Sequence, residues 1–263
     1  YDPLSDPEAL TYIPDDNFEQ SIIDAGFDDK LDDYIITQNI SGIVRLGTSE
    51  SEIKLFNKGI KNLIGLDGFR SLKEFSADLN LIDSVDFSKN LNLEIISIYY
   101  NDIKSIDISK NENLKSLNIL GNPIQTSTVD ISKNINLEVL FIGGSTGTRL
   151  INDQGEFIAE IPQTTAKISS LDFSSNSKLT SLKITHSEIS DLETTNYNNL
   201  DNLDGDIYYY GVTDTEYNIK EWNQTIQLSN EDTLTTHLQS KNMYLIQGGT
   251  AASDKNLISF EKK

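Results

Sequence analysis

Residues 72–92, 93–113 and 114–136 open on the same apolar beat and share a Ser-Lys-Asn close, and that recurrence constrains the fold more than any other feature. They read LKEFSADLNLIDSVDFSKNLN, LEIISIYYNDIKSIDISKNEN and LKSLNILGNPIQTSTVDISKNIN. Aligned on the first leucine, units start at Leu72, Leu93, Leu114, Leu137, Leu179 and Leu200, at spacings of 21, 21, 23, 42 and 21 residues. Positions 4 and 6 are apolar (Phe75/Ala77, Ile96/Ile98, Leu117/Ile119, Leu140/Ile142, Leu182/Ile184). That alternation predicts a short strand with one buried face. Position 9 is Asn80, Asn101 and Asn122, a side chain whose amide stands in for backbone where the chain turns out of a strand. Positions 11, 14 and 16 are apolar again and line the opposite wall. A unit this short cannot bury its own apolar side, whereas stacked units share a continuous core.

The pattern L-x-x-L-x-L-x-x-N-x-I-x-x-[IV]-D-[IF]-S-K-N resembles the leucine-rich repeat family. In detail it is similar to the 21-residue type of exported Bacteroidetes proteins, with some likeness to internalins. The resemblance implies an α/β solenoid: a right-handed leucine-rich repeat horseshoe with short parallel strands, a helical N-terminal cap and a helix-containing C-terminal cap. It extends over roughly residues 12–215. Within it, 52–71 (EIKLFNKGIKNLIGLDGFRS) is similar to a first repeat, and 13–29 (IPDDNFEQSIIDAGFDD) to the helical cap.

The expected organisation is a flexible segment 1–11, a cap 12–47, repeats 48–199 and irregular last repeats with a C-terminal cap at 200–263. In the first cap, Pro14, Asp15 and Asp16 supply helix-start chemistry, Phe18, Ile22 and Ile23 an apolar stripe, and Gly26 a stop. Residues 40–47 read as the first strand. Asp28, Asp29, Asp32 and Asp33 read as a solvated surface, since they lack the spacing of a calcium-binding EF-hand. The double-length gap between Leu137 and Leu179 admits two readings. Ile161, Ile168, Leu171 and Phe173 partly fit a degenerate repeat, but Pro162 and Gln163 interrupt its strand. We favour a hairpin-like insertion at about 145–166, turning at Asn152-Asp153-Gln154-Gly155. Further on, 205–211 and 243–249 read as strands, and 213–223 and 229–242 as helices.

A net charge of −20, from 41 acidic and 21 basic residues, excludes nucleic acid and anionic membrane as natural partners, because both require lysine and arginine to displace counterions. With no cysteine there is no disulfide framework, thiolate metal site or thiol nucleophile. No apolar run approaches membrane-spanning length, and the beginning YDPLSDPEAL reads as a trimmed mature chain. The two histidines, His186 and His237, lack any serine or aspartate context for a triad, and no phosphate- or dinucleotide-binding motif is present. Asp201, Asp204 and Asp206 could gather round a divalent ion, but the reading we favour is a polar turn that departs from the repeat. We expect no enzyme and no cofactor.

In the family resembled, positions 3, 5 and 7 of each strand face outward on the concave side. Those positions carry Glu52, Lys54, Phe56; Glu74, Ser76, Asp78; Ile95, Ser97, Tyr99; Ser116, Asn118, Leu120; Val139, Phe141, Gly143; and Ser181, Lys183, Thr185. Ile95, Tyr99, Leu120, Val139 and Phe141 therefore stand where water is expected. They form a candidate ligand-binding patch flanked by the acids Glu74 and Asp78. An internal cover, by the insertion or the C-terminal region, is the competing account. The expected function is a non-catalytic, exported or cell-surface, lipoprotein-anchored or secreted protein that binds a protein partner in adhesion or host interaction. The alternative is glycan capture in nutrient uptake, with Tyr99, Tyr100 and Tyr208, Tyr209 and Tyr210 as stacking surfaces. An enzyme using the 201–206 carboxylates ranks last, and oligomeric state stays open.

Overall fold

The computed structural model describes residues 6, 8–126, 129–144, 146–151, 157–163, 166–169, 171–172, 174–179, 181–185 and 187, together with strands at 207–210, 243–246 and 257–259. The chain begins with an antiparallel ribbon of β1 (Leu10–Tyr12) and β2 (Tyr34–Ile36), with helix α1 (Asp16–Asp24) between them and helix α2 (Thr37–Ser41) after them. β1 thus starts inside the segment expected to be a flexible lead. Asp15 is the reason α1 begins where it does. Its Oδ1 accepts from the backbone N–H of Asn17 and Phe18, satisfying two orphan donors of the first turn. Its Oδ2 accepts from the backbone N–H of Lys61 and Asn62, which fastens the helix start to the first coil. Phe18 stacks on Phe69 at a centroid distance of 6.0 Å, and the turn at Gly26, φ 82°, ends the helix.

Strands β3 (Arg45–Leu46), β4 (Glu74–Ser76), β5 (Ile95–Ser97), β6 (Ser116–Leu120) and β7 (Val139–Gly143) run parallel in one sheet. The register is Leu46↔Phe75↔Ile96↔Leu117↔Leu140, so position 4 of every unit lies beside position 4 of the next. Behind the sheet, Leu72, Leu93, Leu114 and Leu137 form a fully buried column, as do Ala77, Ile98, Ile119 and Ile142, and Ile82, Ile103 and Ile124. Phe75 and Phe87 meet edge to face across one coil, 5.4 Å apart. Each fully buried aliphatic contributes about 1.5–3 kcal/mol of transfer free energy.

The first coil differs from the sequence expectation. Residues expected to form a strand at 40–47 divide into α2, a turn at Gly42 and the two-residue β3. At Gly47 (φ 75°) the chain leaves the sheet, at a point where only glycine fits, since a Cβ there would lie 1.8 Å from the Ser76 carbonyl oxygen. It returns when the Gly47 N–H meets Ile53 O and the Asn57 N–H meets Asp78 O. Residues 52–56 therefore keep the alternation, with Ile53 and Leu55 buried and Glu52, Lys54 and Phe56 exposed, without being a strand.

Two buried asparagine rows close the coils. Asn80, Asn101 and Asn122 each donate to the position-6 carbonyl of their own coil and to that of the coil before: Ala77 and Leu55, Ile98 and Ala77, Ile119 and Ile98. Their Oδ1 atoms accept from Ile60, Ile82 and Ile103 N–H in turn. Each of Ala77 O and Ile98 O therefore receives two amides. The second row is the asparagine of Ser-Lys-Asn: Asn90, Asn111, Asn134 and Asn176 each donate to two carbonyls of the preceding coil. Asp86, Asp107, Asp130 and Asp172 open that turn, accepting from the N–H two residues on at Ser88, Ser109, Ser132 and Ser174. Those N–H groups and the hydroxyls of the same serines hold the four carboxyls below their usual pKa, the N–H first at Asp86, Asp107 and Asp172 and the hydroxyl first at Asp130. Just before the first row the backbone turns left-handed in each coil, at Asn57, Leu79, Tyr100 and Gly121 (φ 53–73°). Asparagine and glycine accept this readily, whereas leucine and tyrosine are strained.

After β7 the chain forms an antiparallel pair, β8 (Thr146–Ile151) and β9 (Phe157–Gln163), which is a sheet of its own. The next strand, β10 (Ser181–Thr185), pairs directly with β7, Leu182 beside Leu140. Between β7 and β10, which are neighbours in the sheet, the chain thus makes a separate antiparallel pair. Beyond that pair the stack continues, since Lys167 N–H donates to Ile124 O, and Ile168, Leu171 and Leu179 are buried. β11 (Ile207–Tyr210) and β12 (Met243–Ile246) extend the sheet in parallel, and β13 (Leu257–Ser259) closes it antiparallel. The expected helices at 213–223 and 229–242 lie outside the described residues.

Candidate binding surface on the outward face of the sheet

Because side chains alternate along a strand, the register places the outward residues in three cross-strand rows. The first runs Arg45, Glu74, Ile95, Ser116, Val139; the second Ser76, Ser97, Asn118, Phe141. The third includes Leu120 and Gly143, with Tyr99 leading into it. Ile95 is 39% exposed, and Tyr99, Leu120, Val139 and Phe141 are half-buried. Ser116 stands between Ile95 and Val139, and Asn118 beside Phe141. Small polar side chains, Ser116 and Asn118, thus alternate with the apolar residues of the expected patch.

The acidic flank is not free charge. Glu74 accepts from Arg45 Nε at 2.9 Å, with Glu50 3.7 Å from the same nitrogen. The pairing with Glu74 raises the Arg45 pKa further. Asp78 occupies an outward position yet is only 6% exposed. Its Oδ2 accepts from Ser76 Oγ at 2.8 Å, and its Oδ1 from Ser97 Oγ at 2.7 Å and from Tyr99 N–H at 2.9 Å. Burial pushes the Asp78 carboxyl above its usual pKa despite these donors. Burial, and after it the Asp78 charge, likewise raises the Tyr99 phenol. Asp78 fixes the backbone of Tyr99, and the Tyr99 ring meets Tyr100 edge to face at 5.7 Å and 76°. Glycine at 121 makes room, since a Cβ there would lie 2.6 Å from the Tyr100 ring.

A second polar surface, unnoticed in the sequence, runs along the edge where the strands begin. Lys73, Glu94 and Lys115 occupy position 2 of successive coils, with Nζ–Oε distances of 3.3 and 2.6 Å. With Asn92, Asn113 and Asn136 they line a groove of about 360 Å³. The two ammonium groups hold the Glu94 carboxyl below its usual pKa, Lys115 first. The alternating charge at position 2 was its available signal. Asp201, Asp204, Asp206, His186 and His237, and the side chains of Tyr208, Tyr209 and Tyr210, lie outside the described residues. Among the described residues no three metal-ligating side chains gather at one point, and no helix is long and apolar enough to cross a membrane.

No protein-family model matches the sequence. None of the curated proteins matches it either. Solved structures do. The chain superposes on internalin C2 from Listeria monocytogenes with a TM-score of 0.55 at 15% identity, covering 77% of this chain and 76% of that one. It superposes on a second Listeria monocytogenes internalin, InlF, with a TM-score of 0.53 at 15% identity, covering 93% of this chain and 58% of that one. Such a likeness carries the fold alone. Together with the parallel sheet of stacked units, it makes this chain a leucine-rich repeat solenoid.

Proposed function

We propose that this chain is a non-catalytic, exported or surface-displayed binding protein whose concave sheet face engages a protein partner. On this reading the solenoid is right-handed and α1 is its N-terminal cap. The observation that carries it is the partial exposure of Tyr99, Leu120, Val139 and Phe141 on one face of the sheet, beside hydroxyl and amide side chains. Apolar anchors separated by small hydrogen-bonding groups suit a protein surface, which needs a desolvated centre and satisfied polar neighbours. The chemistry also favours protein over glycan: sugar stacking needs a flat ring face, and Tyr99 and Tyr100 stand at 76° to one another. Adhesion or host interaction is the role we assign to such binding. The test is Tyr99→Ala with Phe141→Ala, probed beside wild type on an array of extracellular protein domains. Ile135→Ser, at an exposed site away from the sheet, is the control. Partners lost with the double variant and kept by the control support the proposal, and partners held equally by all three proteins sink it.

A further inference from the structure

The ribbon of β1 and β2 presents a second apolar surface. The register sets Leu10 opposite Ile36 and Tyr12 opposite Tyr34. All four point outward, with exposures of 59, 42, 46 and 47%, and the two tyrosine rings lie 5.3 Å apart. Together they expose apolar surface on the order of a few hundred Å², a size that marks interaction sites on soluble proteins.

The ribbon cannot turn these residues inward, because its other face is already fixed. Thr11 and Ile35 are buried, and Thr11 Oγ1 bonds Thr37 Oγ1 at 2.8 Å. Gly65 and Gly68 press against that face so closely that a Cβ on either would lie 2.6 Å from Tyr12 O and Ile13, or from Thr11 Oγ1. The outward face is therefore a rigid platform on a two-stranded sheet.

Its charge setting selects the occupant. Asp6 and Glu8 lead into β1, and Asp32 and Asp33 lead into β2. In an antiparallel pair these leads lie at opposite ends, so acids bracket the apolar face on both sides. Lys30, beside the second lead, is already in an ion pair with Asp32. A second copy would bring like-charged ends together on chains that each carry −20, and an anionic membrane would be repelled likewise.

We propose that the outward face of this ribbon is a docking site for a basic amphipathic segment of a protein partner. Leu10, Tyr12, Tyr34 and Ile36 take up its apolar side chains, and the acidic leads receive its flanking lysines or arginines. This site is separate from the sheet face and does not depend on it.

The probes are two short synthetic peptides of equal charge, one alternating lysine with leucine and one alternating lysine with serine. Each is titrated calorimetrically into the whole chain at low and high salt. The wild type binds the lysine–leucine peptide about tenfold or more tightly than the lysine–serine peptide, and both weaken as salt rises. Tyr12→Ser with Tyr34→Ser, which leaves every charge in place, makes the two peptides equal. Leu10→Thr with Ile36→Thr, which keeps strand-forming residues, does the same, whereas Tyr99→Ala with Phe141→Ala preserves the difference. A preference that survives both ribbon variants, or is absent from wild type, overturns the proposal. So does a sedimentation profile in which wild type is a dimer and the ribbon variants are monomers, because the occupant would then be a second copy.

Discussion

Substitution of two equally buried asparagines by alanine has sharply different expected costs. Asn101 is 1% exposed and Asn111 0%, and both amides donate to backbone carbonyls, Asn101 within its own and the preceding coil and Asn111 within the preceding coil alone. The difference lies in what is left behind. Asn101→Ala removes the Oδ1 that accepts from the Ile82 N–H, at 3.0 Å, while Ala77 O keeps Asn80, Ile98 O keeps Asn122 and Tyr99 O keeps the Leu79 N–H as donors. Four lost bonds, the longest to Tyr99 O at 3.4 Å, and one orphaned buried donor come to about 3–5 kcal/mol. Asn111→Ala orphans nothing: Phe87 O retains the Asn90 N–H and Asn90 O the Leu93 N–H. It also removes Asn111 Oδ1, a buried acceptor with no partner among the described residues, and its expected cost is about 1–2 kcal/mol. Urea unfolding followed by circular dichroism measures both. Amide hydrogen exchange localises the effect, since protection at Ile82 falls in Asn101→Ala while Ile103, held by Asn122 Oδ1, keeps its own. If Asn111→Ala costs as much as Asn101→Ala, or Ile82 stays protected, the reasoning from bond inventories is refuted.

Two further outcomes follow from single atoms. Burial raises the Asp78 pKa in the folded chain, so the folded state binds that proton more tightly than the unfolded state. The Asp78 contribution to stability therefore falls as pH rises from the ordinary carboxylate value through the raised one, and stays lost at neutral pH. Asp78→Asn can keep all three bonds, with its amide turned to Ser76 Oγ. Its urea midpoint should match wild type in acid and exceed it near neutrality, and a variant weaker than wild type at neutral pH contradicts this. Gly47→Ala should cost about 2–4 kcal/mol, because its Cβ meets Ser76 O at 1.8 Å with φ at 75°. Gly42→Ala, with open space around it and φ of −86°, should leave the melting temperature nearly unchanged.

The repeat made most of the sheet legible in advance. Position 4 of the units at 72, 93, 114, 137 and 179 lies in one unbroken register from Phe75 to Leu182, because a 21-residue period fixes which residues stack. The first coil was harder to read. Its chain turns left-handed at Gly47, close against the Ser76 carbonyl, and nothing in residues 40–56 shows that neighbour. The burial of Asp78 is illegible for a similar reason. Its position in the pattern points outward, but Ser97, 19 residues later, supplies the hydroxyl that closes over it. The outward apolar positions could be listed from the period, whereas their division by Ser116 and Asn118 required the register between coils. The β1–β2 platform was missed because three alternating residues are too few to separate from a lead-in segment.

The β8–β9 pair shows how this architecture counts length. β10 lies against β7 in full register although 42 residues rather than 21 separate Leu179 from Leu137. Doubling a loop adds only about 0.6 kcal/mol of closure entropy, and each coil contacts only its neighbours. The sheet therefore registers where a coil begins and ends, not how far the chain travels in between. The strand exit after Gly143 is in effect a grafting port, through which a whole recognition module can be exchanged while the stack on either side keeps its register.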